Sequence, residues 1–304
     1  MGRRVAAASA AVVALTLGLA GCSGAPAEPT GPQGIVATIT TPPTSASPAP
    51  RPAPTSTSSA AAGDGWYLAL GDSLAAGVQP TTTGDQKNRG YAGPVLEGVR
   101  KTQPGTQLRN LGCSGETTTS MLGGGRCRYP ETSQVAAAVA FLKANATTTR
   151  LVTLDMGANN VLRCAQPTAV DQACATSSNA AVAAELANIL GRIRAAAPGV
   201  PIVVLTYYNP LLAGWLKGGQ SRAVATQSQP LLGRLNTEIT KAATAVGAKV
   251  ADVAGAFATT DATGSPQPTN VKRICDWTWM CSRNDIHAND AGYAAMAKAV
   301  LAAR

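Results

Sequence analysis

Short apolar runs that alternate with helix-forming segments are the feature that most constrains the fold of this chain. Three runs, beginning at residues 66, 150 and 201, have the length and apolar character of buried strands, and 106–111 and 249–253 read as two shorter strands. Helical spacing of apolar residues predicts helices over 94–101, 134–144, 182–193, 230–246 and 289–303. Strands that alternate with helices are typical of a parallel sheet covered on both faces. We therefore predict an α/β fold, a three-layer sandwich around a central parallel sheet of about five strands.

The first 21 residues have the pattern of an export signal. Two arginines precede an apolar stretch that ends in small residues directly before Cys22. The stretch is too short to span a membrane comfortably, and its last residues resemble a bacterial lipobox. We predict cleavage before Cys22 and lipid attachment to its sulfur. The alternative is ordinary secretion, with Cys22 lost or unmodified.

Composition divides the remaining chain into two parts. Residues 22–63 are dominated by Pro, Ser, Thr, Ala and Gly, so we expect a disordered tether, because such a segment buries too little apolar surface to offset the entropy of ordering. Residues 64–304 are globular in composition and show no internal boundary or repeat. We predict one domain there, held away from a membrane anchor by the tether.

Charge and cysteine content narrow the partners. The formal net charge is +9, and it falls to +7 without the leader, which carries two arginines and no acid. The basic residues are scattered, which argues against nucleic acid as a partner and favours at most a mild attraction to anionic lipids or wall polymers.

Apart from Cys22 there are six cysteines, and their even number predicts three disulfides, although fifteen pairings are possible. They fall into three sequence-local pairs, Cys113 with Cys127, Cys164 with Cys174, and Cys275 with Cys281.

Metal or cofactor chemistry is not expected from these residues. No Cys-x-x-Cys spacing occurs, and the single histidine, His287, lies away from the cysteines in the sequence. We expect no metal, no organic cofactor and a monomeric protein.

The stretch Trp66 to Gly77 carries the first candidate for chemistry. It reads as a buried strand that ends in Gly71-Asp72-Ser73, and ligands of open α/β sheets bind beyond the carboxyl ends of the strands. A serine there is a candidate nucleophile, and the alternative is a turn in which Asp or Ser caps a helix.

A base and oxyanion donors are available elsewhere in the chain. A serine hydroxyl needs a base to take its proton, and His287 is the only histidine. Gly115 and Asn159 follow two other predicted strands, and their amide groups are candidate donors to the oxyanion of acyl transfer.

These residues resemble the GDSL or SGNH hydrolases. The resemblance spans residues 64–304 in four blocks in the same order, namely Gly71-Asp72-Ser73-Leu74, Asn110 to Thr117, Gly157-Ala158-Asn159-Asn160, and the segment around His287. It implies an SGNH, flavodoxin-like sheet with Ser73 as nucleophile, His287 as base, and Gly115 and Asn159 in the oxyanion hole. With its three local cysteine pairs, the chain looks like the secreted three-disulfide bacterial lipases, phospholipases and esterases. No G-x-S-x-G motif surrounds Ser73, which argues against an α/β-hydrolase elbow.

The block around His287 departs from the common family pattern. Asn284 occupies the position three residues before the histidine, where family members often carry Asp, and Asp285 follows it. We expect the backbone carbonyl of Asn284 to orient His287, with Asp285 as the alternative. Asn160 stands where Asp is common, and we expect it to shape its loop.

Other residues near these blocks have two interpretations. Asp72 is expected to brace backbone amides and not to act as the base. Trp277, Trp279 and Met280, inside the Cys275–Cys281 loop, would either wall an acyl pocket or anchor the loop.

The expected function is that of a lipid-anchored, extracytoplasmic serine esterase or lipase. It would hydrolyse carboxylic esters, in particular lipid acyl esters, through an acyl-enzyme. A carbohydrate O-acetylesterase acting on wall or surface glycan is the alternative within hydrolases, and a catalytically silent binding lipoprotein is the alternative outside them.

Overall fold

The structure, a computed structural model, describes residues 64–304. The expectations for the export signal, for Cys22 and for the tether over 22–63 fall outside the described residues.

A five-stranded parallel sheet forms the centre of the domain, with the order β2-β1-β3-β4-β5. The strands are β1 Gly65–Gly71, β2 Thr106–Asn110, β3 Thr149–Asp155, β4 Ile202–Leu205 and β5 Lys249–Ala251. Tyr67 to Leu70 of β1 have no solvent exposure, because the strand is central and covered on both faces. In the register of β1 with β3, Gly71 pairs with Asp155, so the ends of these two strands meet.

The helices form two groups. α1 and α10 pack on each other, and α10 also contacts β5 and α8, while α5 packs against both α3 and α6. This arrangement, with helical layers on the two faces of a parallel sheet, confirms the predicted three-layer α/β sandwich. The helices are α1 Ala92–Arg100, α2 Thr118–Gly123, α3 Gln134–Asn145, α4 Ala158–Leu162, α5 Gln172–Ala196, α6 Gly219–Ala245, α7 Val253–Ala256, α8 Thr269–Trp277, α9 Met280–Arg283 and α10 Asp290–Ala303, with a 3-10 helix over Pro210–Lys217.

Several boundaries differ from the sequence prediction. α5 begins ten residues before the predicted 182, at Gln172, because Asp171 caps it by accepting the Cys174 amide at 3.0 Å. α6 begins at Gly219 and runs through Pro230, which the sequence placed at its start. Its first half packs against the 3-10 helix, and this contact outweighs the hydrogen bond that a proline cannot donate.

Strand β4 is shorter than the predicted 201–208. It ends at Leu205 because both backbone groups of Tyr207 bond to the side chain of Asn236, at 2.8 and 2.9 Å, and leave the ladder. Helix α8 was not predicted, and neither was α2, which a capping box of Thr117 and Ser120 starts within a glycine-rich stretch.

Three disulfides join Cys113 to Cys127, Cys164 to Cys174, and Cys275 to Cys281. Such bridges are typical of an exported protein. Over residues 64–304, no helix is long and apolar enough to cross a membrane.

Candidate active site

The four block residues lie at one edge of the sheet. Ser73 follows β1, Gly115 follows β2, Asn159 lies in α4 directly after β3, and His287 lies between α9 and α10. Ser73, Asn159 and His287 line one cavity of about 20 Å³, whose other walls are mainly apolar. Gly115 is not among the residues that line it. The fold therefore brings together three of the four residues that the sequence selected and places Gly115 beside them.

Ser73 is buried, yet its hydroxyl and its backbone N–H have no hydrogen-bond partner in residues 64–304. Its carbonyl accepts the Val78 N–H at 3.0 Å. No hydrogen bond joins Ser73 Oγ to His287 Nε2 in this part of the chain. Such bonds are often long in the absence of substrate. The hydroxyl and the N–H are available to a ligand in the cavity.

The turn that carries Ser73 is built by two buried carboxyl groups. Asp72 Oδ1 accepts the Leu74 amide at 3.0 Å, and Asp155 Oδ2 accepts the amides of Asp72 and Ala75 at 3.2 and 3.3 Å. The expectation that Asp72 braces backbone amides is confirmed. These bonds engage the amides on both sides of Ser73 and leave its own N–H free.

The two carboxyl groups share one buried environment. Asp155 has no exposure and Asp72 has 2%. Burial, reinforced by the neighbouring Asp72 charge, holds the pKa of Asp155 well above its usual range, and burial also raises the pKa of Asp72. Tyr207 donates to Asp72 at 2.7 Å and Tyr91 donates to Asp155 at 2.5 Å, so each carboxyl is satisfied.

Gln134 fixes the backbone just before the nucleophile. Its Oε1 accepts the Gly71 N–H at 2.7 Å, and its Nε2 donates to the Gly71 carbonyl at 3.0 Å and to Glu116 at 3.1 Å. Gly71 has φ +141°, and a Cβ there would collide with Asp155, so only glycine suits this position. The end of β1 is thus held at a single geometry.

His287 is oriented by Asp285. The distance from His287 Nδ1 to Asp285 Oδ1 is 2.7 Å, and the same oxygen accepts the His287 backbone N–H at 2.9 Å. Two further hydrogen bonds hold the segment. The Tyr208 hydroxyl donates to the Ile286 carbonyl, and the backbone N–H of Trp279 donates to the His287 carbonyl. With a proton on Nδ1 directed at the carboxylate, Nε2 is left as an acceptor.

The preferred role of Asn284 is therefore corrected. We predicted that its backbone carbonyl orients His287, on the ground that a side chain two residues before the ring would point elsewhere. Asn284 adopts a left-handed conformation with φ 54°, and Asp285 then forms a turn in which its side chain reaches the backbone and the ring of His287 together. The Asn284 side chain instead accepts a hydrogen bond from Lys217 at 3.4 Å.

The candidate oxyanion donors are differently engaged. Asn159 Nδ2 donates one hydrogen to the Glu116 carbonyl at 2.9 Å, which leaves its second hydrogen for a ligand. The Gly115 N–H makes no hydrogen bond within residues 64–304. Gly115 has φ +74°, and Arg126, which donates to the Ser114 carbonyl at 2.9 Å, lies against it. A side chain at 115 would displace this guanidinium.

The neighbouring residues have structural roles. Asn160 bonds to Thr118 through both its side-chain atoms, at 3.0 and 2.9 Å, so it shapes its loop as expected. Trp279 donates to Gln79 at 2.7 Å, and Trp277 packs edge-on against Phe257. Neither tryptophan lines the cavity at Ser73, which favours the anchoring interpretation.

Sequence reasoning missed Asp155 and Gln134. Asp155 had a detectable signal, a lone acid at the end of an apolar run beside the glycine of the asparagine block. Gln134 had none, because it comes from the first turn of α3 and meets Gly71 only through the fold.

The comparisons with known proteins identify the family. A profile of the GDSL-like Lipase/Acylhydrolase family matches residues 69–295, so the chain belongs to this family. It is a carboxylic ester hydrolase. No curated protein sequence matches the chain significantly.

Solved structures share the fold. A phospholipase A1 from Streptomyces albidoflavus NA297 is 22% identical, with 78% of this chain and 99% of that chain covered and a TM-score of 0.50. An extracellular lipase from Streptomyces rimosus is 20% identical, with the same two coverages and a TM-score of 0.51. A lipase from a goat rumen metagenome is 17% identical, with 79% and 97% covered and a TM-score of 0.51. At these identities the similarity is one of fold.

Proposed function

We propose that this hydrolase is an extracytoplasmic serine esterase that acts through an acyl-enzyme. His287 Nε2 takes the proton of Ser73 Oγ while Oγ bonds to the ester carbonyl carbon. The oxyanion that forms accepts hydrogen bonds from the free N–H groups of Ser73 and Gly115 and from the second Nδ2 hydrogen of Asn159. When the intermediate collapses, the bond to the alcohol oxygen breaks and the alcohol takes the proton from His287. Water then bonds to the acyl carbon as His287 takes its proton. The bond between that carbon and Ser73 Oγ breaks, the acid leaves, and His287 returns the proton to Oγ.

One observation carries this proposal. The free hydroxyl and the free N–H of Ser73 lie in the same cavity as a histidine whose Nδ1 contacts a carboxylate at 2.7 Å. A nucleophile, a base and a group that orients the base are the minimum set for acyl transfer. Asp72 takes no part as a base, because its oxygens are occupied by Leu74 and Tyr207.

Two acyl groups are candidates for the substrate, a long lipid acyl chain and a short acyl group. The resemblance to secreted lipases favours lipid acyl esters. The cavity beside Ser73 has a volume of about 20 Å³, roughly the room of one water molecule, and this favours a short acyl group such as the acetyl of a modified glycan.

A chain-length series of p-nitrophenyl esters tests the proposal, with Ser73→Ala as the blank. The proposed mechanism predicts hydrolysis that the blank lacks. A maximum at the acetyl ester would favour the O-acetylesterase, and a maximum at long chains the lipase. Equal hydrolysis by Ser73→Ala would overturn the mechanism for every substrate.

We further propose that Cys22 anchors the enzyme to the outer face of the cell membrane. The lipobox-like residues before Cys22 support this location, as do the three disulfides. Cys22→Ala is expected to move the protein from the membrane fraction to the medium. Retention of the variant in the membrane fraction would argue against the anchor.

A further inference from the structure

A second cavity adjoins the one at Ser73. This groove has a volume of about 820 Å³. Three chain segments contribute residues to both spaces. Leu162, Pro210 and Ile286 line the inner cavity, and their near neighbours in the sequence line the groove, namely Ala165, Leu211 and Asn284. A substrate whose ester lies at Ser73 can therefore extend along these segments toward this groove.

The groove combines an apolar surface with positive charge. Leu211, Val224 and Met280 contribute apolar walls, and Leu216 is 49% exposed, the one large hydrophobic side chain of residues 64–304 that is exposed. Lys217 and Arg283 are the charged residues of its lining, which contains no acid.

Both cations are unpaired. Neither Lys217 nor Arg283 lies within 4.0 Å of a carboxylate in the part of the chain that the structure describes. Lys217 Nζ contacts only the neutral Asn284 side chain, at 3.4 Å, and the Arg283 guanidinium lies 5.3 Å from the Trp279 ring centre.

We propose that this groove binds the part of the substrate beyond the scissile bond, and that Lys217 and Arg283 select an anionic group there. The ligand class is an amphipathic ester that carries a net negative charge. Its apolar part contacts Leu211, Leu216 and Met280, and its anionic group meets the two cations. This inference rests on the proposed function, since it assumes that the ester lies at Ser73.

Three soluble monomeric esters with identical acyl chains test the selection. They are dihexanoylglycerol, which is neutral, dihexanoyl phosphatidylcholine, which is zwitterionic, and dihexanoyl phosphatidylglycerol, which is anionic. The readout is the ratio of kcat/KM for each phospholipid to kcat/KM for dihexanoylglycerol. The wild type is expected to give the higher ratio for the anionic lipid, and this preference should weaken with added salt.

Two double variants remove the same amount of charge. Lys217→Gln with Arg283→Gln changes the groove, and Lys143→Gln with Arg192→Gln changes two exposed cations on other helices, α3 and α5. The groove variant is expected to lower the ratio for the anionic lipid about fivefold or more, on the scale of two exposed ion pairs. The control variant should keep the wild-type ratio. Lys217→Glu with Arg283→Glu should make the anionic lipid the poorer of the two phospholipids.

The outcomes separate this inference from the esterase mechanism. An unchanged ratio in the groove variant, or an equal fall in the control variant, overturns the anionic selection while Ser73-dependent hydrolysis of dihexanoylglycerol stands. Hydrolysis of dihexanoylglycerol that does not depend on Ser73 overturns the mechanism and this inference together.

Discussion

Replacing Asp285 by Asn is expected to slow the reaction by about 2- to 30-fold. In the structure one oxygen of Asp285 accepts both the backbone N–H and the ring Nδ1 of His287, at 2.9 and 2.7 Å. An Asn side chain at 285 would keep its own oxygen at this place, because the backbone N–H fixes it there. The ring would then keep its tautomer and lose only the negative charge of its partner.

The magnitude follows from that difference. A hydrogen bond to a charged group contributes about 1.5–3 kcal/mol, and a neutral one about 1 kcal/mol. The difference of about 0.5–2 kcal/mol corresponds to the stated fall in kcat/KM. Asp285→Ala removes both bonds and should cost roughly a hundredfold. Asn284→Gly, which keeps the carbonyl and adopts the left-handed conformation of Asn284 without strain, should remain within about twofold of the wild type.

The assay is kcat/KM for a short-chain p-nitrophenyl ester, measured across the pH range for the three variants. If Asp285→Asn and Asp285→Ala both stay within about twofold of the wild type, Asp285 does not orient His287. A loss of about 10⁴-fold in Asp285→Asn would mean that the amide rotates and donates to the ring, which contradicts the fixed oxygen.

Two further predictions concern the buried polar groups behind Ser73. The raised pKa of Asp155 means that the fold favours its neutral form, so its contribution to stability is full at low pH and is lost as the pH rises above the ordinary aspartate pKa of about 4. The unfolding free energy of Asp155→Asn, which lacks this dependence, should therefore rise relative to that of the wild type as the pH increases from about 4 in urea titrations. A constant or opposite difference would contradict this. Gln134→Leu leaves the buried Gly71 N–H without its partner and removes one of the two hydrogen bonds at the Gly71 carbonyl and one at the Glu116 carboxylate, and it should cost about 3 kcal/mol by calorimetry. Gln172→Leu, on the exposed start of α5, is the control, and its unfolding free energy should stay within about 0.5 kcal/mol of the wild type. An equal effect of the two substitutions would refute the role of Gln134 in holding Gly71.

The sheet was predictable because its signals are local. The three central strands, β1, β3 and β4, are largely continuous apolar runs, as buried parallel strands require, and Ser73 and Asn159 follow two of these runs closely in the sequence. Since parallel strands end at one edge of a sheet, Ser73 and Asn159 come together without any knowledge of the helices. Helix ends were less predictable. The start of α6 depends on packing against the 3-10 helix. Because of this packing the helix continues through Pro230, although a proline usually marks the first turn of a helix.

The site was predictable in its residue types but not in its contacts. Whether Asp285 or the Asn284 carbonyl meets His287 depends on one left-handed residue, and sequence spacing does not encode that conformation. Gln134 and Asp155 act on the turn from other elements, so no motif around Ser73 reveals them. Sequence likewise does not reveal that Lys217 and Arg283 lack an acidic partner in residues 64–304, because this depends on which carboxylates lie near them in the fold.

The central claim is that Ser73, activated by His287, is the nucleophile. Its most direct test is labelling with a fluorophosphonate followed by mass mapping of the modified peptide, with Ser73→Ala and heat-unfolded wild type as controls. We expect one adduct, on Ser73, in the folded wild type and none in either control. An unlabelled wild type, or equal labelling of Ser73→Ala, would contradict it.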